Sequence, residues 1–227
     1  MQHIIGVNNF NYRSYRHAYK IGGHNGAYYY AKEIEENIIP LVKTDRHWDL
    51  LGMKMTNHFN HSLIFIHHCR EMSRVYFWLK KYNDVVLVVS QQHVYDWAIE
   101  NGYKAILLPL SIDVKYVEQF KAEKTKDACY VGNRWAFKKA DEVANIPEGV
   151  DFQPPNMPRE ELLKFMAPYR KCYAIGRCAL EAKVLGCEIM PWYFRYPDPE
   201  HWKVLDNSEA AKILQEELDK LDLNYEH

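Results

Sequence analysis

Short apolar segments alternate along the chain with segments whose apolar residues recur at helical spacing. The short segments are rich in β-branched residues, as is typical of strands that are buried on both faces of a parallel sheet. This pattern predicts strands at residues 38–43, 62–66, 84–90, 104–108, 128–131, 150–152, 172–175 and 187–190.

The intervening segments predict helices at residues 27–37, 72–81, 93–101, 158–166 and 177–185, and a last helix from residue 207 or 208 to 221. Gly102 and Gly186 follow two of these helices, where glycine commonly ends a helix, and Pro158 lies in the first turn of another. Strands that alternate with helices indicate an α/β fold with parallel sheets.

The length of 227 residues accommodates two domains of about 100 residues each. We place the boundary at residues 109–113, after the predicted strand 104–108. The predicted fold is a compact α/β protein of two Rossmann-like domains facing a cleft. The first predicted domain comprises residues 1–108, and the second comprises residues 109–227.

Composition is that of an ordinary globular chain, with 48% hydrophobic and 26% charged residues. The net charge of −1 provides no global field that would attract nucleic acid or an anionic membrane. The five cysteines form no CxxC pair and no signal peptide precedes them, so we expect a cytoplasmic protein with free thiols. No apolar run reaches the roughly 20 residues of a membrane helix, so no membrane span is expected.

The strand-to-helix junction at residues 176–187 is the first candidate site, because ligands of open α/β sheets bind beyond the carboxyl ends of strands. Gly176 precedes a helix whose first N–H groups and positive dipole end suit a diphosphate. Arg177 adds a fixed positive charge, and Glu181, one turn further, can accept hydrogen bonds from ribose hydroxyls. The alternative is a surface helix that carries an incidental Arg and Glu.

A second junction follows the predicted strand 128–131 and combines a glycine with three basic residues. Gly132 allows close approach of the backbone, and the positive charges can bind phosphate oxygens. The candidate residues here are Gly132, Asn133, Arg134, Lys138 and Lys139. A basic, solvated loop is the alternative reading.

Two candidate regions lie in the first domain. Gly22, Gly23 and His24 form a glycine-rich loop before the first helix, although it lacks the GxGxxG spacing of dinucleotide-binding folds. His67 and His68 follow the strand 62–66, where a histidine can act as general base or bind sugar hydroxyls. The histidines in this region match no structural zinc spacing, so we expect no metal site.

Arg13, Arg16 and Lys20 recur at helical spacing and alternate with tyrosines. Such a stripe can bind phosphates and stack on bases, as nucleic-acid binders do. It can equally bind a polysaccharide or pack against other parts of the chain. We therefore regard these residues as a candidate acceptor or nucleic-acid contact.

Taken in order, these junctions resemble the GT-B glycosyltransferases, and specifically the large retaining group that uses nucleotide-diphosphate sugars. The segment 176–187 is similar to that group's G-x-x-x-LEA-x-x-x-G element. Residues 131–134 with the following lysines resemble its phosphate loop, and Ser90 with residues 108–113 resembles its domain crossing. Gly22-Gly23 corresponds to its N-terminal glycine loop. The chain resembles a shortened form of the group, and some bacteriophage enzymes are compact glycosyltransferases of this kind.

The resemblance implies transfer of a sugar from a nucleotide-diphosphate donor to an acceptor, without a cofactor or metal. It also implies that residues 1–108 form the acceptor-side domain and residues 109–227 the nucleotide-sugar-binding domain. Glu181 would bind ribose, and Arg134 with Lys138 or Lys139 would neutralise the leaving diphosphate. His67 or His68 would face the sugar and the acceptor. The acceptor can be a glycan, a small molecule or, as for some bacteriophage enzymes, a DNA base. Abundant aromatic residues are compatible with a homodimer.

One position departs from the family pattern. Tyr173 stands where the family usually has a second glutamate, next to the transferred sugar. We retain Tyr173 as a candidate contact to the nucleotide sugar. The departure also leaves open a protein of another class, a non-catalytic module that binds nucleotide sugars.

Overall fold

Two parallel sheets with associated helices form the fold, which confirms the predicted α/β class. The computed structural model describes residues 26–50, 61–66, 84–132, 146–155, 157–192 and 198–223. The chain divides into two units, Met1–Leu110 together with Asn207–His227, and Ser111–Asp206. Each unit contains one of the sheets, and elements are numbered in chain order among the described residues.

The sheet of the first unit has the strand order β1-β2-β3-β4, with every neighbouring pair parallel. Its strands are β1 (His47–Asp49), β2 (Ser62–Ile66), β3 (Val85–Val89) and β4 (Lys104–Leu107). Helix α1 (Gly26–Glu33) continues into a π-helical turn (Ile34–Ile38) and a 3-10 turn (Ile39–Leu41), and helix α2 (Gln92–Glu100) joins β3 to β4.

One cluster of the core of this unit lies between the two central strands and helix α2. Every residue of β2 is buried, as are four of the five residues of β3. Apart from Ser62, both predicted strands consist of apolar residues. Helix α2 contributes Val94 and Ala98 to the same cluster. The helix ends where the sequence predicted, because Gly102 adopts a positive φ of 76° and the N–H of Tyr103 bonds back to the carbonyl of Ala98 at 2.9 Å.

The prediction of a strand at residues 38–43 is wrong. Ile38 and Ile39 are helical instead, and Pro40 fits the first turn of the 3-10 segment because it lacks an N–H that would need a partner. Both isoleucines are buried. Strand β1 lies further along the chain and was missed because it is short and Trp48 is its only fully apolar residue.

The last helix, α6 (Asn207–Leu223), packs on the π-helical and 3-10 turns of the first unit. Gln215 anchors it there, accepting a hydrogen bond from the N–H of Lys43 at 2.6 Å and donating one to the Lys43 carbonyl at 3.2 Å. The domain boundary predicted at residues 109–113 places this helix in the second domain, whereas its contacts place it in the first unit. Its buried apolar residues are Ala210, Ala211, Leu214 and Leu218.

The sheet of the second unit has the strand order β6-β5-β7-β8, again entirely parallel. Its strands are β5 (Lys126–Tyr130), β6 (Asp151–Phe152), β7 (Tyr169–Tyr173) and β8 (Glu188–Ile189). Its helices are α3 (Val114–Glu118), α4 (Arg159–Met166) and α5 (Arg177–Val184), followed by a 3-10 turn (Pro199–His201). No helix within the described ranges combines the length and apolar character needed to cross a membrane.

A network of charged side chains ties together the amino ends of the four strands of the first sheet. Asp84, just before β3, contacts Arg46 at 3.3 Å and Lys104 at 3.1 Å, and its other carboxylate oxygen lies 2.5 Å from Nδ1 of His61. Nε2 of His61 lies 2.8 Å from Asp45. His61 and Asp84 both adopt left-handed backbone with φ near 60°, so side-chain bonding offsets a local backbone cost.

The pKa values in this network follow from its geometry. Partial burial of His61 opposes its charged form, but hydrogen bonds to Asp84 and Asp45 outweigh this and raise its pKa above 6.5. Burial of Asp84 likewise opposes ionisation, yet the bonds from His61 and Lys104 and the charge of Arg46 lower its pKa to about 2. The network is therefore fully charged at mildly acidic pH.

We expect His61→Asn to destabilise the protein most below about pH 6.5, the unfolded pKa of histidine. The folded pKa of His61 is raised, so its contribution is complete below the unfolded value and is lost as pH rises through the folded value. Because His61 is partly exposed, the difference should be only about 1 kcal/mol or less. Urea unfolding of the wild type and of His61→Asn between pH 5.5 and 9 measures this difference in the free energy of unfolding.

The exposed His93 of helix α2 supplies the matched control. His93→Asn is unfolded under the same conditions, as the control for replacing an exposed histidine. A difference for His61→Asn that is constant with pH would contradict an imidazolium held between two carboxylates.

Candidate functional site

The carboxyl edge of the second sheet brings two of the predicted junctions together. Strands β5 and β7 are parallel neighbours, with Tyr130 paired in register to Tyr173. The segments that follow these strands, one containing Gly132 and the other Gly176, therefore leave the sheet at the same edge. The N–H of Gly132 donates to Oε1 of Gln153 at 3.1 Å, which fixes the start of the first segment beside β6.

Gly176 forms the turn from β7 into helix α5. Its φ of 62° and ψ of −139° lie in a region that only glycine adopts without strain. Its carbonyl accepts hydrogen bonds from the N–H groups of Ala179 at 3.0 Å and Leu180 at 3.3 Å, so it caps the helix. A Cβ built on Gly176 would have no neighbour within 4 Å among the described residues, so the backbone conformation alone accounts for the glycine.

Glu181 is the centre of a buried ionic trio, with only 2% of its surface exposed. Nε of Arg177, one turn earlier on helix α5, lies 2.9 Å from Oε1 of Glu181. Nε of Arg159, the first residue of helix α4, lies 3.1 Å from the same oxygen. The structure therefore joins the two residues predicted from the sequence to a third that was not.

Both arginines occupy unfavourable places in their helices. Arg159 and Arg177 are the first residues of α4 and α5, where the helix dipole is positive and a cation is destabilised. Glu181 offsets this locally, and the trio carries two positive charges to one negative. A helix end that combines a positive dipole with guanidinium groups is suited to bind an anion such as a phosphate.

Arg159 is also held by helix α3. Its guanidinium carbon lies 4.8 Å from the ring centroid of Tyr116, a cation–π contact. The Tyr116 hydroxyl donates to Glu160 at 3.3 Å, and burial together with the Glu160 charge raises the pKa of Tyr116 above 10.0. Sequence reasoning missed Tyr116 and Arg159 because they are far apart in the chain. An arginine in the first turn of a predicted helix was the one available signal.

Tyr173 lies in the hydrophobic core of the second unit. It is 7% exposed and packs in a cluster with Ala128, Tyr130, Ile146 and Trp192. Tyr130 and Trp192 meet edge to face with ring centroids 5.3 Å apart. Tyr173 thus contributes to packing under the carboxyl edge.

The thiol of Cys178 lies near the Glu181 carboxylate of the trio. Desolvation of Cys178, with the Glu181 carboxylate nearby, raises the pKa of the thiol to about 12. Cys178 therefore stays protonated at neutral pH. It is a free thiol, as are Cys129, Cys172 and Cys187.

Several sequence-predicted site residues lie outside the described residues, so their roles stay predictions. Four of them follow Gly132, namely Asn133, Arg134, Lys138 and Lys139. The others belong to the first predicted domain and are His67, His68, Gly22, Gly23, His24, Arg13, Arg16 and Lys20. Within the described part of the chain, no group of three or more His, Cys, Asp or Glu side chains is arranged to hold a metal ion.

Comparison of the chain with protein-family models, with curated proteins and with solved structures finds no match.

We expect Glu181→Gln to lower the free energy of unfolding by about 3 kcal/mol, because it leaves two largely buried guanidinium groups without their carboxylate. Urea unfolding at pH 7 measures this loss. Glu161→Gln, an exposed position on helix α4, is the matched control and should change stability by no more than about 0.5 kcal/mol. Equal effects of the two substitutions would show that the trio does not stabilise the second unit.

Proposed function

We propose that the chain is a glycosyltransferase whose second unit binds the nucleoside diphosphate of a sugar donor. The observation that carries the proposal is the trio of Glu181, Arg177 and Arg159. Arg177 begins helix α5, which follows the carboxyl end of β7, and Arg159 begins helix α4, which follows β6 in the chain. Edges of this kind are where open α/β sheets bind ligands.

The parts of the site match the parts of the ligand. A nucleoside diphosphate presents negative phosphates and vicinal ribose hydroxyls. The first turn of α5, with Arg177, offers N–H groups and positive charge to the phosphates. Glu181 offers a carboxylate, an acceptor for hydroxyl donors. Arg134 with Lys138 or Lys139, which follow Gly132 in the sequence, would add further phosphate contacts.

In this proposal, the positive groups assist departure of the nucleoside diphosphate when the glycosidic bond breaks. Charge develops on the leaving phosphate oxygen in the transition state, and fixed positive groups stabilise it there. The step needs no redox chemistry. The acceptor is a glycan or a small molecule, with a DNA base as a further candidate.

A non-catalytic module that binds nucleotide sugars is the second candidate function. The observation that favours it is the burial of Tyr173 in the aromatic cluster, at the position where the resemblance calls for a glutamate next to the sugar. A buried tyrosine cannot replace a carboxylate that stabilises positive charge on the sugar. This candidate predicts the same nucleotide binding without sugar release.

We expect one of UDP, GDP, ADP or CDP to raise the melting temperature. A ligand at 100 times its dissociation constant adds roughly 2.7 kcal/mol of stability. At roughly 2–4 °C per kcal/mol for a chain of this size, the shift should be about 5–10 °C. Differential scanning fluorimetry with these nucleotides, their sugar conjugates and NAD as control measures it.

Release of the nucleoside diphosphate from the matching sugar conjugate then separates the two candidates. Release at a rate above that of the buffer alone supports the glycosyltransferase, and stable binding without release supports the module. No shift with any nucleoside diphosphate, or a shift with NAD alone, would overturn both.

A further inference from the structure

We propose that Arg159 is a positioning residue that sets selectivity for ribose. Together with Arg177 it holds one oxygen of Glu181, so that the other oxygen is left to accept the ribose hydroxyls. This inference rests on the proposed function. It adds a residue that the resemblance does not supply and assigns a separate task to each oxygen of the carboxylate.

The hydrogen bonds of the trio all end on a single oxygen. Nε of Arg177 and Nε of Arg159 lie 2.9 Å and 3.1 Å from Oε1 of Glu181. A carboxylate oxygen has two lone pairs in its plane, and two N–H donors occupy both. Among the described residues, no hydrogen bond to Oε2 is found. Oε2 is therefore the oxygen that remains available to a ligand.

Arg177 alone would not fix the carboxylate. Arg177 and Glu181 are four residues apart on one helix, and such a pair tolerates rotation of both side chains. Arg159 comes from another helix and approaches from another direction. Its guanidinium is in turn fixed by the ring of Tyr116, 4.8 Å from the guanidinium carbon. Two donors from different elements define one orientation of the carboxylate.

A fixed acceptor in a buried setting discriminates strongly between ligands with and without the matching donor. The trio is well shielded from water, with side-chain exposures of 15% for Arg159, 9% for Arg177 and 2% for Glu181. A ligand without ribose hydroxyls leaves Oε2 unpaired, which costs binding energy. If the Glu181 carboxylate could rotate freely, the site would lose its selectivity for ribose hydroxyls but would still bind the phosphates.

The experiment compares dissociation constants for two ligands, measured by titration calorimetry. The first ligand is whichever of UDP, GDP, ADP and CDP binds the wild-type protein, and the second is its 2′,3′-dideoxy counterpart. We expect the wild type to prefer the ribonucleotide by at least about tenfold. In Arg159→Met the preference should fall to about twofold or less, whereas affinity for the dideoxy ligand should change by less than about threefold.

Two further variants separate positioning from a general loss of charge or structure. Arg159→Lys keeps the positive charge and should recover part of the ribose preference. Lys164→Met removes an exposed charge from the same helix and should leave the preference unchanged. If Arg159→Met does not fold, Tyr116→Leu removes the ring that fixes Arg159 and should lower the preference, while Tyr116→Phe keeps the ring and should retain it.

Each remaining outcome counts against the inference. A wild-type preference that Arg159→Met preserves would overturn it. So would an equal loss of affinity for both ligands in Arg159→Met, because a merely structural role predicts that result. If the wild type binds none of the four nucleoside diphosphates, the proposed function fails and the inference falls with it, a result distinct from the other two.

Discussion

Parallel pairing of neighbouring strands is the constraint on which both sheets depend. A central strand of a parallel sheet is commonly covered on both faces and apolar, and β2 and β3 show this from Leu63 to Ile66 and from Val86 to Val89. Parallel pairing also sends every carboxyl end to the same edge of its sheet. For this reason β5 and β7, paired in register, deliver Gly132 and Gly176 to one edge although 43 residues separate the paired Tyr130 and Tyr173.

The two edges of these sheets carry different kinds of charge arrangement. At the amino edge of the first sheet, Asp84 contacts Arg46, Lys104 and His61 in partly exposed surroundings. At the carboxyl edge of the second sheet, Glu181 is buried and faces two guanidinium groups that stand at positive helix ends. The first arrangement joins strands, whereas the second concentrates positive charge where a ligand can approach.

Burying the trio costs free energy of folding, so a gain in stability does not explain why these residues are present. Buried ion pairs often contribute no more to folding than well-packed apolar residues would. Arginines at the first residue of two helices add a further unfavourable interaction with the dipoles. Functional sites commonly contain residues that are locally unfavourable, as the two arginines at helix N-termini are. Arg177 directly follows Gly176, whose backbone conformation only glycine adopts without strain. The coincidence supports our proposal that an anionic ligand binds here.

The sequence by itself determined the elements whose signals are local. Continuous apolar runs predicted β2 and β3, Gly102 and Gly186 predicted helix ends, and the spacing of Arg177 and Glu181 placed both residues on one helix. These features depend on residues within a few positions of one another, which is the range over which backbone preferences and side-chain periodicity act.

Only the tertiary structure decided the rest. Ile38 and Ile39 form helical turns rather than a strand, and α6, which packs on those turns, lies far away in the chain. Arg159 joins Glu181 across 22 residues, and Tyr116 reaches Arg159 from a third helix. Such contacts arise when helices pack on a common sheet, and the energy of burying an ion pair is set by partners that no local pattern specifies.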